Sequence, residues 1–170
     1  MKNIFLIGMP GCGKSTLGKM VAVKTKRNFY DADDELEQYY QMKITDIFNK
    51  HGEDAFRQME TETIQRLSLL HNSIIATGGG AVTRSINMEI AKKNDLVVFI
   101  DRPVKSILSD IVTEHRPLLA DDAERLLQLY RDRIDLYRMY ADIIIENTKT
   151  PELVINAIIE GVRTYENHDN

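Results

Sequence analysis

The sequence predicts an α/β fold in which a parallel β-sheet is covered by helices on both faces. Three short apolar runs, Asn3–Ile7, Ser73–Thr77 and Leu96–Asp101, alternate with longer amphipathic stretches. Strands that are apolar throughout are typical of parallel sheets buried between two helical layers. The first run leads directly into a glycine-rich loop and then a helical pattern, which is the strand–loop–helix order of a βαβ unit.

Two shorter extended segments, Asn28–Tyr30 and Ile143–Glu146, complete five predicted strands. Helices are predicted at Ser15–Lys26, Asp34–Tyr40, Thr45–Lys50, Glu53–Leu70, Ser85–Lys93, Pro103–Ile111, Asp122–Tyr140 and Pro151–Tyr165. Pro151 suits the first turn of the last helix, where a backbone N–H has no partner. Right-handed crossovers place the carboxyl ends of parallel strands at one edge, and a ligand crevice is expected there.

Length and composition indicate one domain over residues 1–170, with a core that needs no covalent staple. Hydrophobic residues make up 43% of the chain and charged residues 28%, the balance of a soluble globular protein. The single cysteine excludes an internal disulfide and indicates a reducing compartment, so we expect a cytoplasmic protein. The amino-terminal apolar run, of about five residues, is too short for a signal peptide or a membrane span. A net charge of −4 argues against nucleic-acid binding.

The loop after the first strand, Gly8-Met-Pro-Gly-Cys-Gly-Lys14-Ser15, fits the phosphate-binding pattern G-x-x-x-x-G-K-[ST]. Glycines allow successive N–H groups to point at phosphate oxygens, and the following helix adds a partial positive charge. Lys14 would span the β- and γ-phosphates, and the Ser15 hydroxyl would ligate Mg²⁺. The alternative is a glycine-rich turn with a chance lysine. The predicted ATP-binding residues are Gly11, Cys12, Gly13, Lys14, Ser15 and Thr16.

Cys12 has two interpretations. A thiol near a helix amino terminus and a lysine can have a lowered pKa. It can also be a small side chain that fills a tight turn, and this second interpretation is favoured.

An acidic segment follows the first helix. If the segment is extended, Asp31 and Asp33 project to the same side, toward the crevice. Asp34, with Glu37 three residues later, resembles a helix N-cap. A solvated acidic turn is the alternative for Asp31 and Asp33.

Four further patterns are candidates for binding a second substrate. In Phe-Arg57-Gln-Met-Glu60, the arginine and the glutamate share a helix face, so Glu60 can hold the Arg57 guanidinium, although a surface ion pair is the alternative. The turn Gly78-Gly79-Gly80 ends an apolar strand and lets a ligand approach the backbone closely. His-Arg116-Pro-Leu-Leu and Leu-Tyr-Arg138 add two arginines, for which solvated helix ends are the alternative.

Taken together, these motifs resemble the shikimate kinase family. That family has a P-loop, an Asp-x-Asp, a Phe-Arg-x-x-Glu, a Gly-Gly-Gly, an Arg-Pro-Leu-Leu and a Leu-Tyr-Arg, and all of them occur here in that order. The resemblance implies a three-layer α/β/α P-loop kinase fold with a five-stranded parallel sheet in the order 2-3-1-4-5. It also implies a substrate-binding region at about 31–62, a lid at about 112–122, and the ATP-dependent phosphorylation of shikimate.

The resemblance also implies roles for individual residues. Arg57 and Arg138 would bind the shikimate carboxylate, since a guanidinium matches a carboxylate geometrically. Asp33 would accept hydrogen bonds from the ring hydroxyls and act in catalysis, and Gly78, Gly79 and Gly80 would close the pocket. Asp31 would lie near Mg²⁺, through water. Arg116 and Lys14 would neutralise charge on the ATP phosphates.

One segment departs from the family pattern, and one aspartate resembles a motif of other P-loop proteins. Family members often have an arginine early in the lid that stacks near adenine, whereas Ser109-Asp110-Ile111-Val112 has none. Asp101 ends an apolar strand as a Walker B aspartate does, but the resemblance excludes it as the metal residue.

The partners expected from these patterns are ATP, Mg²⁺ and shikimate, with no nucleic acid, no membrane and a monomeric chain. A gluconate or nucleoside monophosphate kinase is the nearest rival. A GTPase is disfavoured because Asn49-Lys50-His51-Gly52 lacks the aspartate of Asn-Lys-x-Asp. A nucleic-acid-dependent ATPase is disfavoured by the net charge and by the lack of a basic aromatic patch.

Overall fold

Five parallel strands form one sheet in the order β2-β3-β1-β4-β5. In the computed structural model, residues 1–113 and 120–168 are described, without the side chains of 111–113, 120–121 and 168. The strands are β1 (Ile4–Ile7), β2 (Asn28–Asp31), β3 (Ser73–Ala76), β4 (Leu96–Asp101) and β5 (Ile143–Glu146). The strand order, the parallel pairing and the α/β class agree with the predictions from sequence.

Seven helices accompany the sheet among the described residues. They are α1 (Lys14–Thr25), α2 (Ala32–Tyr40), α3 (Ile44–Leu67), α4 (Ser85–Lys92), α5 (Val104–Thr113), α6 (Ala120–Tyr140) and α7 (Pro151–His168). A 3₁₀ turn, Ala81–Thr83, was not predicted. Across the described residues, no helix combines the length and the apolar character needed to cross a membrane.

The two helices predicted on either side of residue 52 lie end to end as α3. The helical path is interrupted at Gly52, whose φ of 81° and ψ of 176° lie outside the helical region. Glycine tolerates this conformation because it has no Cβ. A Cβ at this position would meet no atom within 4 Å, so the backbone angle, rather than crowding, requires glycine.

The predicted N-cap of α2 is wrong. The helix begins at Ala32, and the cap is Asp31, whose Oδ1 accepts a hydrogen bond from the Asp33 N–H at 3.1 Å. Asp34 lies inside the first turn and is exposed. The cap is displaced because β2 runs through Asp31 before the chain turns into the helix.

The core lies on both faces of the three central strands. Every residue of β1 and β3 is buried, and so are the first five residues of β4. Leu17 and Val21 of α1 and Ile155 and Ile158 of α7 pack against them as part of one cluster. Continuous burial explains why the strands are apolar runs and not alternating patterns.

One buried polar side chain joins the amino-terminal end of β1 to the segments that precede β3 and β4. Asn3 is 1% exposed, and its Nδ2 donates to the Leu70 carbonyl at 2.6 Å. Its Oδ1 accepts from the Ser73 N–H at 3.1 Å, while its own N–H donates to Asp95 Oδ1 at 2.8 Å. The strand starts are therefore aligned by hydrogen bonds made at a buried position.

We expect Asn3→Ala to lower the free energy of unfolding by about 2–3 kcal/mol, because it removes the partners of the partly buried Leu70 carbonyl and the buried Ser73 N–H. Urea denaturation followed by circular dichroism measures the change. Asn94→Ala is the matched control, since Asn94 is exposed. Equal midpoints for the two variants would show that Asn3 does not align the strands.

Candidate active site

The pairing of β1 with β3 brings two glycine-rich loops into contact. Both the N–H and the Oγ1 of Thr77 donate to the Leu6 carbonyl at 3.0 Å, so the two strands leave the sheet together. Beyond them, Gly79 lies against Pro10. A Cβ added to Gly79 would lie 2.6 Å from Pro10 Cδ, which is closer than real Cβ atoms come. Glycine at position 79 is what allows the two loops to touch.

The Gly8–Ser15 loop has the conformation of a phosphate cradle. Gly8, Gly11 and Gly13 have φ values of 147°, 77° and 98°. Such angles turn consecutive N–H groups toward one side, and α1 begins directly afterwards at Lys14. The loop and the amino terminus of α1 together form a ready site for phosphate oxygens.

The Lys14 side chain is held over this loop and is 8% exposed. Its Nζ donates to the carbonyls of Gly8 at 2.8 Å and Met9 at 3.0 Å. These contacts stabilise the buried ammonium and keep it beside the cradle.

Cys12 is fully buried in the loop. Burial raises the pKa of its thiol, and the neighbouring Lys14 only partly opposes that shift. The environment therefore favours the packing interpretation of Cys12 over the reactive one.

A pocket of about 350 Å³ opens beside the cradle. It is lined by Gly11, Gly13, Lys14, Ser15, Thr16, Arg102, Ile107 and Asp110. Five of these belong to the predicted ATP-binding set, and sequence reasoning missed the other three.

Ser15 and Asp31 meet at the edge of the cradle. The Ser15 hydroxyl donates to Asp31 Oδ2 at 2.5 Å, and Asp31 also caps α2. Two adjacent hard oxygens next to a phosphate site fit Mg²⁺, which prefers one or two carboxylates together with substrate phosphates. Among residues 1–113 and 120–168, no group of three or more His, Cys, Asp or Glu could hold a metal ion alone.

The Asp33 carboxylate lies against Gly78. The residue is in the first turn of α2, so the premise of an extended segment is wrong, and the two carboxylates have different neighbours. A Cβ on Gly78 would lie 2.9 Å from Asp33 Oδ1 and 3.0 Å from Glu60 Oε1. Burial, and then the negative charge of Asp31, raise the pKa of Asp33.

Arg57 and Glu60 form the ion pair expected from their spacing. Arg57 Nη1 lies 2.9 Å from Glu60 Oε2, and Nη2 lies 3.4 Å from Glu53 Oε1. Burial raises the pKa of Glu60, and the Arg57 guanidinium opposes this shift. A Cβ on Gly80 would lie 2.5 Å from both terminal nitrogens of Arg57, so the guanidinium lies directly on the Gly78–Gly80 turn.

The second predicted clamp residue, Arg138, lies elsewhere. Its side chain is 53% exposed, and its Nη2 is 3.9 Å from Asp101 Oδ2 at the end of β4. Another arginine of α6, Arg133, acts on Glu60 through its charge, which opposes the rise that burial causes in the pKa of that carboxyl. Sequence reasoning missed Arg133.

Tyr137 links Arg133 to the glycine turn. Its hydroxyl donates to the Gly79 carbonyl at 2.5 Å, and its ring stacks on Phe99 with centroids 5.2 Å apart. Burial raises the pKa of Tyr137 to about 12, and a hydrogen bond from Arg133 opposes the shift. Arg133 and Tyr137 are four residues apart and share a helix face, whereas Arg138 is rotated away from it. That spacing is the signal that could have identified Arg133.

Arg116 and most of the predicted lid at 112–122 lie outside the described residues. Their predicted contact with the ATP phosphates stays a prediction.

The fold and the two loops define a P-loop kinase, with a phosphate cradle after β1 and, after β3, a glycine turn against which Asp33 and Arg57 lie. A family model described as shikimate kinase matches residues 10–163. A curated shikimate kinase from Clostridium botulinum (strain Eklund 17B / Type B) is 46% identical over 159 residues, which cover 93% of this chain and 96% of the relative.

The chain therefore belongs to the shikimate kinase family. A solved shikimate kinase from Acinetobacter baumannii, in complex with shikimate, superposes with a TM-score of 0.88 at 33% identity, covering 97% of this chain and 94% of that one. A gluconokinase from Sinorhizobium meliloti 1021 superposes with a TM-score of 0.67 at 14% identity, over 98% of this chain and 94% of that one. The second likeness concerns the fold alone.

Proposed function

We propose that the protein transfers the γ-phosphoryl group of ATP to the 3-hydroxyl of shikimate, giving shikimate 3-phosphate and ADP on the route to chorismate and the aromatic amino acids. The observation that carries this proposal is the Arg57 guanidinium, held by Glu60 against the Gly78–Gly80 turn and next to the P-loop. The family membership and the shikimate bound in the related A. baumannii structure support it.

The acceptor carboxylate would bind to Arg57 and Arg133. A guanidinium presents paired N–H donors that match a carboxylate. Arg57 is paired with Glu60, and the charge of Arg133 also lowers the pKa of Glu60 against the effect of burial. We place Arg133 in the role that the sequence suggested for Arg138, because Arg138 is exposed and faces Asp101. Glycine at positions 78 and 80 lets Asp33 and Arg57 lie against the backbone of the turn, since any side chain there would meet one of them.

Asp33 would accept the hydrogen bond of the attacking hydroxyl. The hydroxyl oxygen bonds to the γ-phosphorus, the bond from that phosphorus to the β,γ-bridging oxygen breaks, and ADP leaves. The hydroxyl proton passes to Asp33 or to water. In a loose phosphoryl-transfer transition state, positioning and charge stabilisation contribute more than proton abstraction does.

Lys14 would neutralise negative charge on the β- and γ-phosphates, from its position over the cradle. Ser15, and Asp31 through water, would hold Mg²⁺, which supplies further charge neutralisation on the phosphates. We retain Arg116 as the proposed lid residue that contacts the ATP phosphates.

The single cysteine supports a cytoplasmic location. The Gly8–Ser15 loop and the Gly78–Gly80 turn belong to the same chain, so the proposed reaction needs no second copy of the protein.

The choice of acceptor is tested by measuring ADP release with shikimate, gluconate and nucleoside monophosphates offered separately. We expect shikimate-dependent ADP release well above the rate with ATP alone, and no comparable stimulation by the others, which lack a ring carboxylate. Turnover with gluconate or a nucleotide, and none with shikimate, would contradict the proposal.

The clamp is tested by three variants, Arg57→Ala, Arg133→Ala and Arg138→Ala. Losing a charge-assisted contact to the carboxylate costs about 1.5–3 kcal/mol. We therefore expect kcat/KM for shikimate to fall roughly 10- to 100-fold in the first two variants, while KM for ATP changes little.

Arg138→Ala is the matched control on the same helix as Arg133, and it should stay within about twofold of wild type. Circular dichroism verifies that each variant is folded, because Arg57→Ala leaves Glu60 without its ion pair. If kcat/KM for shikimate falls strongly in Arg138→Ala and not in Arg133→Ala, then Arg138 binds the carboxylate, as the sequence suggested.

A further inference from the structure

Arg102 lies at the wall of the nucleotide pocket, directly after β4. Its Nη2 lies 2.6 Å from Asp110 Oδ2, and its Nη1 donates to the Gly11 carbonyl at 3.3 Å. The guanidinium therefore bridges the phosphate cradle and α5. The Arg102 side chain is 23% exposed and that of Asp110 is 54% exposed, so the arginine is the more enclosed partner.

The contacts of Arg102 suggest which part of a nucleotide it would meet. Lys14 and Ser15 would face the β- and γ-phosphates. Arg102 instead contacts Gly11 of the cradle and Asp110 of α5, and Thr16 and Ile107 line the same pocket. Among the described residues that line this pocket, Lys14 is the one other cationic side chain.

Both the positive charge and the N–H donors of Arg102 are available to a ligand in the phosphate cradle. Its positive charge acts inside the cradle, because it partly opposes the rise that burial causes in the pKa of Cys12. A guanidinium has five N–H donors in a fixed plane, and one carbonyl and one carboxylate oxygen do not use them all. The remaining donors and the planar face suit a phosphate oxygen or a flat ring.

We propose that Arg102 contacts the nucleotide on its α-phosphate side and that Asp110 orients it. The arginine then supplies from the end of β4 a cationic group that the segment 109–112 lacks. This inference rests on the proposed use of ATP. It differs from a plain surface ion pair, which would contribute little to nucleotide affinity.

The test measures the binding of ATP and of ADP by isothermal titration, with no acceptor present. We expect Arg102→Ala to raise Kd about tenfold for both nucleotides, by the same factor, because the contact lies on the α-phosphate side that they share. Arg102→Lys, which keeps the charge but loses the planar donors, should recover part of that loss. KM for shikimate should be unchanged in all variants.

Asp110→Ala tests the orienting role of Asp110. It removes the orienting partner but leaves the guanidinium in place, so its effect on Kd should be clearly smaller than that of Arg102→Ala. Wild-type affinity for both nucleotides in Arg102→Ala would overturn the inference, as would equal losses in the two alanine variants. A loss confined to ATP would overturn the placement on the α-phosphate side.

A failure of the role proposed for Arg102 can be distinguished from a failure of the proposed function. If wild type phosphorylates shikimate while Arg102→Ala binds both nucleotides normally, only the role of Arg102 fails. If no acceptor is phosphorylated but nucleotide affinity depends on Arg102, the choice of acceptor fails and the role of Arg102 stands.

Discussion

The parallel pairing of β1 with β3 is the constraint on which the rest of the site depends. The register Leu6↔Ala76 ends both strands at the same level of the sheet, and Thr77 ties the two exits together through the Leu6 carbonyl. The phosphate cradle and the glycine turn consequently emerge side by side, with Gly79 against Pro10. A donor and an acceptor bound to these two loops would be brought together by the sheet itself, which is the entropic part of phosphoryl-transfer catalysis.

The glycine turn determines how three charged side chains are placed next to the phosphate cradle. Because its residues have no side chains, Asp33, Glu60 and Arg57 approach the backbone itself. The three come from α2 and α3, and Tyr137 of α6 binds the same turn from the other side. Burial raises the pKa of both carboxyls, and the Arg57 guanidinium beside Glu60 offsets part of the cost. Charges that are enclosed in this way interact with a bound carboxylate more strongly than solvated charges do.

Much of the fold could be predicted from sequence, because the signals are local. The buried strands are continuous apolar runs, and the cradle is a contiguous motif between a strand and a helix. The errors arose where the position of a side chain depends on contacts between distant segments. Asp34 matched a capping pattern, but the length of β2 gave that role to Asp31. Arg138 belongs to a short motif, but its exposed side chain faces Asp101, and the carboxylate-binding role that we propose for Arg133 stays a prediction. Arg102 belongs to no motif, and only the tertiary structure brings it to the pocket beside the phosphate cradle.

The loops after β1 and β3 touch each other, and we propose that they bind different substrates. Backbone amide chemical shifts of the ¹⁵N-labelled protein, recorded during separate titrations with shikimate and with a non-hydrolysable ATP analogue, test this division of roles. We expect shikimate to shift the amides of 78–80 most strongly and the analogue to shift those of 11–16. Shikimate shifts confined to 11–16, or no response at 78–80, would contradict it.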